Sequence, residues 1–294
     1  MRNTFIAQLQ ELAREDERIL LITGDLGYGV VGEFARELPK QFMNFGINEQ
    51  SMMSAAAGMA QQGYKPFVYS IGNFPTFRCL EQIRNDVCYM NLDVTVVAVG
   101  AGFAYGTAGY SHHLIEDISA LSALPNLKIY CPADVLETQL IMSLIVNEKG
   151  PKYLRLGKGG EGKLTEGFDQ SIEGLSILPG SKEIAVLTIG NILAEGMRIR
   201  SLRTDLKPTV ISCYSLDHLS DFFASRTYSR VVTLEEHLLR GGFGSLIREI
   251  TQESAAQIES FGIRKIVSTY IGDQKYLREA YGLSAEQVLA AIDF

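Results

Sequence analysis

Two periods of apolar residues organise this chain. Near the start, Phe5, Leu9 and Leu12 fall at helical spacing, which predicts an amphipathic helix within residues 1–19. The continuous apolar run 19–23 predicts a buried strand. Phe42, Met43 and Phe45 form a second short run that ends in a Gly-Ile-Asn turn, and the small residues 55–60 read as a closely packed helix. Further strands are predicted at 66–71, at the β-branched run 92–99, within 124–134 and at 153–156, with helices opening near residue 74 and spanning 135–146. Strands alternating with helices from Ile19 to Arg155 imply a parallel, doubly wound sheet. Residues 161–182, rich in Gly, Lys, Glu and Ser, show little periodicity and are read as a linker between domains at 1–160 and 183–294. The second domain repeats the pattern, with strands at 183–189, 208–213, 230–234 and 263–267. Its helices are placed at 194–202 and 284–292, the last opening at a capping box on Ser284. The fold class is therefore α/β, as two tandem three-layer α/β/α domains.

Composition narrows the partners rather than the fold. The 294 residues are 46% hydrophobic and 21% charged, as in a soluble globular protein with room for two cores. A net charge of −7 argues against nucleic acid or a membrane surface as a partner. The amino terminus reads as an amphipathic helix rather than a signal peptide, and no apolar run suggests a membrane span. Cys79, Cys88, Cys131 and Cys213 sit singly, so buried free thiols in a reducing cytoplasm are expected, and the predicted location is cytoplasmic.

Three stretches carry candidate chemistry. Glu49 follows Asn48, which suits a helix cap, so a carboxylate there favours the positive end of the dipole. The same carboxyl lies at a strand–loop–helix junction, where ligands sit in open sheets, and Ile47, Met52 and Met53 would desolvate it and let it donate a proton. Half of the four histidines, His112 and His113, lie adjacent in a long Gly-rich loop after the strand 92–99. Glu235, Glu236 and His237 end a strand and offer metal-binding or acid–base groups. The Gly-rich turn 24–29 holds Asp25 and Leu26 but is neither GxGxxG nor a P-loop.

The stretch GINEQSMMSAAAGMAQQGYKPFVYS (46–70) resembles the pyrimidine-binding segment of the transketolase family, which 1-deoxyxylulose-5-phosphate synthases and 2-oxo acid dehydrogenase β subunits share. LPNLKIYCPAD (124–134), SHHLIED (111–117), PKYLRLGKGG (151–160) and EEHLLRGGFGS (235–245) match further family patterns in order. The resemblance implies a pyrimidine-binding domain followed by a transketolase carboxy-terminal domain, with thiamine diphosphate as cofactor. It implies that Glu49 bonds the aminopyrimidine and drives ylid formation. Tyr69 with Phe74 or Phe77 would stack on that ring, and Asp25 and Leu26 would line it; core packing is the alternative for the aromatics, and an ordinary turn the equal alternative at Asp25. His112 would face the substrate carbonyl, His113 would be simply exposed or else a second donor, and Arg155 would hold a phosphate or carboxylate. Arg78, near Glu81 and Asp86, would serve helix or subunit salt bridges. Asp117 would be structural, and the second domain would support a dimer without chemistry of its own.

Two departures matter. The synthases begin the loop with an Arg for substrate phosphate, where this chain has Gly100, so the sugars and any phosphate requirement stay open. A Gly-Asp-Gly motif with a downstream Asn, which would hold the diphosphate and Mg²⁺, is missing. The expected partner is therefore a separate amino-terminal subunit carrying that site, in an α2β2 assembly that transfers a two-carbon ketol unit from ketose to aldose. The alternatives are a dehydrogenase β subunit, a deoxyxylulose-phosphate-synthase-like enzyme, or a non-catalytic scaffold.

Overall fold

A computed structural model describes every residue except 28, 253, 268, 293 and 294; Tyr28, in the predicted Gly-rich turn, thus lies outside the described residues. The first sheet contains β1 (Ile19–Thr23), β2 (Phe42–Asn44), β3 (Lys65–Ile71), β4 (Thr95–Val99), β5 (Lys128–Tyr130) and β6 (Lys152–Leu156). Its order is β2-β1-β3-β4-β6-β5, and every pairing is parallel. Alternate residues face opposite layers, as the strand period requires. Leu20, Ile22, Val68, Val96 and Ala98 pack with Met52, Met53, Ala56 and Ala57 of the helix Glu49–Gln61. Ile19, Leu21, Phe67, Tyr69, Val97 and Val99 pack with Phe5, Ile6, Leu9 and Ala13 of the helix Arg2–Glu15. Each fully buried aliphatic or aromatic side chain contributes about 1.5–3 kcal/mol before entropy is counted. The helix Glu49–Gln61 stops at Gly63, whose φ of +88° ends it where other residues would be strained.

The second sheet contains β7 (Leu175–Leu178), β8 (Ile184–Thr188), β9 (Thr209–Cys213), β10 (Arg230–Leu238) and β11 (Gln257–Ile263), ordered β11-β10-β8-β9-β7. Two expectations are corrected here. β7 falls inside the stretch read as linker: it pairs antiparallel with β9 and buries Leu175 and Ile177. The last strand is Gln257–Ile263 rather than 263–267, because at this sheet edge polar Glu259 is neutralised by Arg230 at 2.7 Å while Arg264 and Lys265 beyond it are exposed. The closing helix is Ala285–Ala291, and the Ser284 side chain accepts from the Gln287 N–H as the capping box predicted. All four cysteines are buried free thiols. Among the described residues no helix is long and apolar enough to cross a membrane.

Candidate functional site

In the first sheet the chain leaves β1 for β2 on one side and later builds β3 and β4 on the other. Loops from neighbouring strands diverge at such a point, and the crevice outside their carboxyl ends is where open α/β sheets hold ligands. The segments after β1, β2, β3 and β4 carry, respectively, Asp25 and Leu26; Glu49; Phe74 and Phe77; and His112 and His113.

Four side chains at these loops form a connected string. Glu49 opens its helix behind the N-cap Asn48 and is 5% exposed, although Asn48 makes no side-chain cap bond. Its Oε2 accepts from Arg78 Nη1 at 3.2 Å. A side chain at Gly24 would begin 3.1 Å from the Gly46 carbonyl and 3.7 Å from Glu49 Oε1, so the glycine lets the loop after β1 close over the carboxylate. Arg78 Cζ lies 4.0 Å from the centre of the Phe74 ring, a cation–π contact of about 0.5–1 kcal/mol at such exposure. Phe74 meets His112 edge-on, centroids 5.6 Å apart, and His112 Nδ1 lies 3.0 Å from the Ser111 hydroxyl. Beside the string is a cavity of about 330 Å³ lined by Ile47, Asn48, Glu49, Gln50 and Arg78. Met52 and Met53 are buried as expected, but Ile47 stands 79% exposed and does not desolvate Glu49.

Two parts of this arrangement were not anticipated. Arg78 pairs with Glu49 rather than with Glu81 or Asp86; Asp86 accepts instead from Ser54. Asn73 Nδ2 donates to the carbonyls of Ser111 (2.8 Å) and His113 (3.0 Å), tying the histidine loop to the Phe74 helix. Gly72 permits this approach, since a Cβ there would stand 2.4 Å from Leu114 Cδ2. The local sequence feature that allows this tie is the Gly72-Asn73 pair between β3 and Phe74.

Other candidates are placed elsewhere. Tyr69 is 2% exposed on the opposite face of the sheet from the helix Glu49–Gln61, stacked on Phe5 at 6.1 Å, and burial pushes its hydroxyl up to about 12. Its ring is packed in the core; of the aromatic candidates Phe74 joins the Glu49–Arg78 string, while Phe77 points outward, 38% exposed. His113 is buried, with Nε2 3.2 Å from the Gly106 carbonyl and its ring edge-on to Phe103. Burial lowers its pKa, so it is a neutral packing residue rather than a substrate donor. Arg155 is also corrected. Only 3% exposed in β6, it donates from Nε to Asp117 (2.8 Å) and from Nη2 to the Leu114 carbonyl (2.6 Å), so it is turned into the interior and away from the Glu49 cavity. Asp25 takes φ +52° in a turn where its N–H donates to Asn44 Oδ1 at 2.8 Å; Leu26 packs half-buried on the first core. The Glu235–His237 cluster holds no metal-binding group: among the described residues no three His, Cys, Asp or Glu side chains are placed to hold an ion.

Comparison with known proteins agrees with this architecture. Residues 1–160 match the family described as transketolase, pyrimidine binding domain, and residues 175–288 match transketolase, C-terminal domain. The chain is 31% identical to an apulose-4-phosphate transketolase subunit from Phocaeicola vulgatus, over 100% of this chain and 96% of the relative. It is also 31% identical to the 1-deoxy-D-xylulose-5-phosphate synthase of Desulforudis audaxviator, covering 96% of this chain but 46% of that enzyme. Among solved structures it resembles one described as a split gene transketolase, inactive beta4 tetramer, with TM-score 0.84 and 30% identity over 99% of this chain and 95% of the other. The chain belongs to the transketolase family and carries that family's pyrimidine-binding and carboxy-terminal domains.

Proposed function

We propose that this chain is the carboxy-terminal subunit of a two-chain transketolase-like enzyme, which moves a two-carbon ketol unit from a ketose to an aldose with thiamine diphosphate. The observation that carries the reading is the string Glu49–Arg78–Phe74–His112 at the carboxyl ends of the sheet. Two facts support a separate partner: a full-length relative is named as a subunit, and the chain spans under half of the synthase it matches.

The residues present fit an aminopyrimidine. A shielded carboxylate and a flat half-buried aromatic ring stand together, which is what a planar heterocycle with N–H donors requires. Arg78, planar and N–H-donating, makes both contacts in the chain alone. When bound, the cofactor supplies a carbon nucleophile able to carry the transferred unit. Glu49 would donate its proton to the ring nitrogen it faces, and the carboxylate left behind would accept the N–H so formed. Phe74 orients the ring by its face. Arg78, 48% exposed, swings off Glu49 toward solvent to admit it. His112, between Asn73's two anchors, donates to the substrate oxygen on which charge develops.

The Mg²⁺ and diphosphate ligands are assigned to the partner, in an α2β2 assembly working in the cytoplasm. With Arg155 locked away, and with a side chain at Gly100 excluded by Tyr105 at 2.3 Å, this chain's first domain supplies no phosphate cation at those two positions.

The test is to purify the native chain at low salt, identify the stoichiometric protein that comes with it, and assay ketol transfer on the pair. Transfer that depends on thiamine diphosphate and is lost in Glu49→Gln supports the reading. CO₂ release from pyruvate in its place would move the chain to the synthase or dehydrogenase reading. A chain that comes alone and binds no cofactor would leave a scaffold.

A further inference from the structure

We propose that Glu236, in the second domain, is a positioning residue for the loop that presents His112; its catalytic consequence rests on the function proposed above. The loop after β4 runs over the end of β10, and the Glu236 carboxylate, 3% exposed, accepts from the Phe103 N–H at 3.0 Å. Buried backbone donors must find an acceptor, and a charged acceptor makes a bond roughly twice as strong as a neutral one. The carboxylate is itself held from the far side. Gln274 Nε2 donates to both of its oxygens at 3.1 and 2.8 Å, Arg278 Nε pairs with it, and Arg278 Nη2 donates on to Asn191 Oδ1 at 3.2 Å. A single side chain thereby connects the helix Gln274–Ala280 to the first residues of the loop.

Gly102 shows how closely the two meet. It adopts φ +60°, and a Cβ there would stand 2.2 Å from Glu236 Oε2. The far end of the loop is fixed by the residues that follow in β10. The Leu238 N–H donates to the Ile115 carbonyl (2.8 Å), and His237 Nε2 accepts from the Ile118 N–H (3.1 Å). Burial holds that imidazole neutral, with its pKa lowered to about 4, so Nε2 is free to accept. Between the two attachments, Phe103 stacks on Tyr281 with centroids 5.2 Å apart, and His113 rests edge-on against Phe103. His112 is therefore presented by a loop pinned at both ends by one strand terminus of the other domain, and Glu236 makes the bond at the loop's start. Unpinned, the loop would still carry its histidine but without a fixed position, and misplacement by about 1 Å costs on the order of 100-fold in rate.

The experiment uses the full chain, alone and with its co-purified partner. Hydrogen exchange on the chain alone reads the loop directly. For Glu236→Ala, exchange over residues 102–113 should quicken by about tenfold or more while the peptides of β1, β3 and β8 keep their protection. In the assembled pair, kcat should fall about 10- to 100-fold with cofactor affinity unchanged. Glu236→Gln, which keeps an oxygen for Phe103 N–H, should restore most of both. Loop exchange unchanged in Glu236→Ala, or kcat unchanged despite faster exchange, overturns the proposal. If Glu236→Ala exchanges everywhere, Arg278→Met, which removes a holder of the carboxylate but not the acceptor, decides: faster exchange confined to the loop supports it and an unchanged loop overturns it. A wild-type pair without ketol transfer would sink the functional reading, and the exchange result would still decide whether Glu236 holds the loop.

Discussion

Two carboxylate–arginine pairs in the first domain invite opposite readings. Asp117 and Arg155 are 0% and 3% exposed, and the arginine's Nη2 donates to the carbonyls of Leu114 and Glu236. Glu49 and Arg78 are 5% and 48% exposed, and the arginine lies across an aromatic ring beside a cavity. Charge and residue type are alike in both. What separates them is that one cation can leave its partner for water and the other cannot. A pair buried on both sides reads as architecture, whereas a shielded carboxylate whose cation is half exposed is the one we propose as a place for a ligand.

The widest separation should come from kinetics. Glu49→Gln is expected to lower kcat of the assembled pair about 10²- to 10⁴-fold, the range of acid–base catalysis, without moving the urea midpoint. Arg78 is 48% exposed, so water screens its pairing with Glu49 to about 1 kcal/mol, and stability has little to lose. Arg155→Met should do the reverse and cost about 3–5 kcal/mol in urea unfolding, because Asp117 is left buried without its cation. Equal stability loss in the two variants would erase the distinction.

A third test uses pH. Burial raises Glu137 to about 7, while its Oε2 accepts from the Ala133 N–H and from Ser212 of the second domain. The unfolded chain releases that proton near 4.5, so the group's favourable contribution is full below pH 4.5 and is lost as pH rises to about 7. Glu137→Gln has no such slope. Its stability relative to the parent chain should rise across that window by on the order of 3 kcal/mol and stay level above it, as read from unfolding midpoints against pH.

The smallest effects sharpen the aromatic assignment. Phe74→Leu should weaken cofactor binding by about 1 kcal/mol, measured by titration of the pair. Tyr69→Leu, which removes the ring, should leave binding untouched and show only as lost stability of about 1–3 kcal/mol. The opposite order would return Tyr69 to the cofactor wall.

These contrasts also mark what the sequence could convey. Period and β-branching located β1, β3, β4, β8 and β9 because each is buried and continuous. β11 escaped because this edge strand carries polar residues and is only partly buried, and β7 because it is only four residues long in a stretch otherwise rich in Gly, Glu and Ser. Glu49, Phe74 and His112 were legible as motif positions. Tyr69, His113 and Arg155 were misassigned because a motif fixes position along the chain and not the face a side chain takes. In β3 a single residue decides the face, and Tyr69 falls toward Phe5. His113 is one residue past His112, yet its ring turns inward onto Phe103. Nothing local to PKYLRLGKGG could announce that Arg155 would meet Asp117, 38 residues away in the chain.

Gly102 imposes a one-way rule on how this sequence can drift. A side chain there would meet not only the Glu236 carboxylate but also the Glu236 Cβ, at 2.6 Å, an atom that every residue except glycine would keep at position 236. Shortening the acid therefore does not make room at 102. Position 236 can be sampled first, at a cost to the loop, but position 102 stays closed unless 236 becomes glycine or the backbone of β10 itself retreats. A lineage remodelling this loop would have to change the second domain before it could enlarge the first.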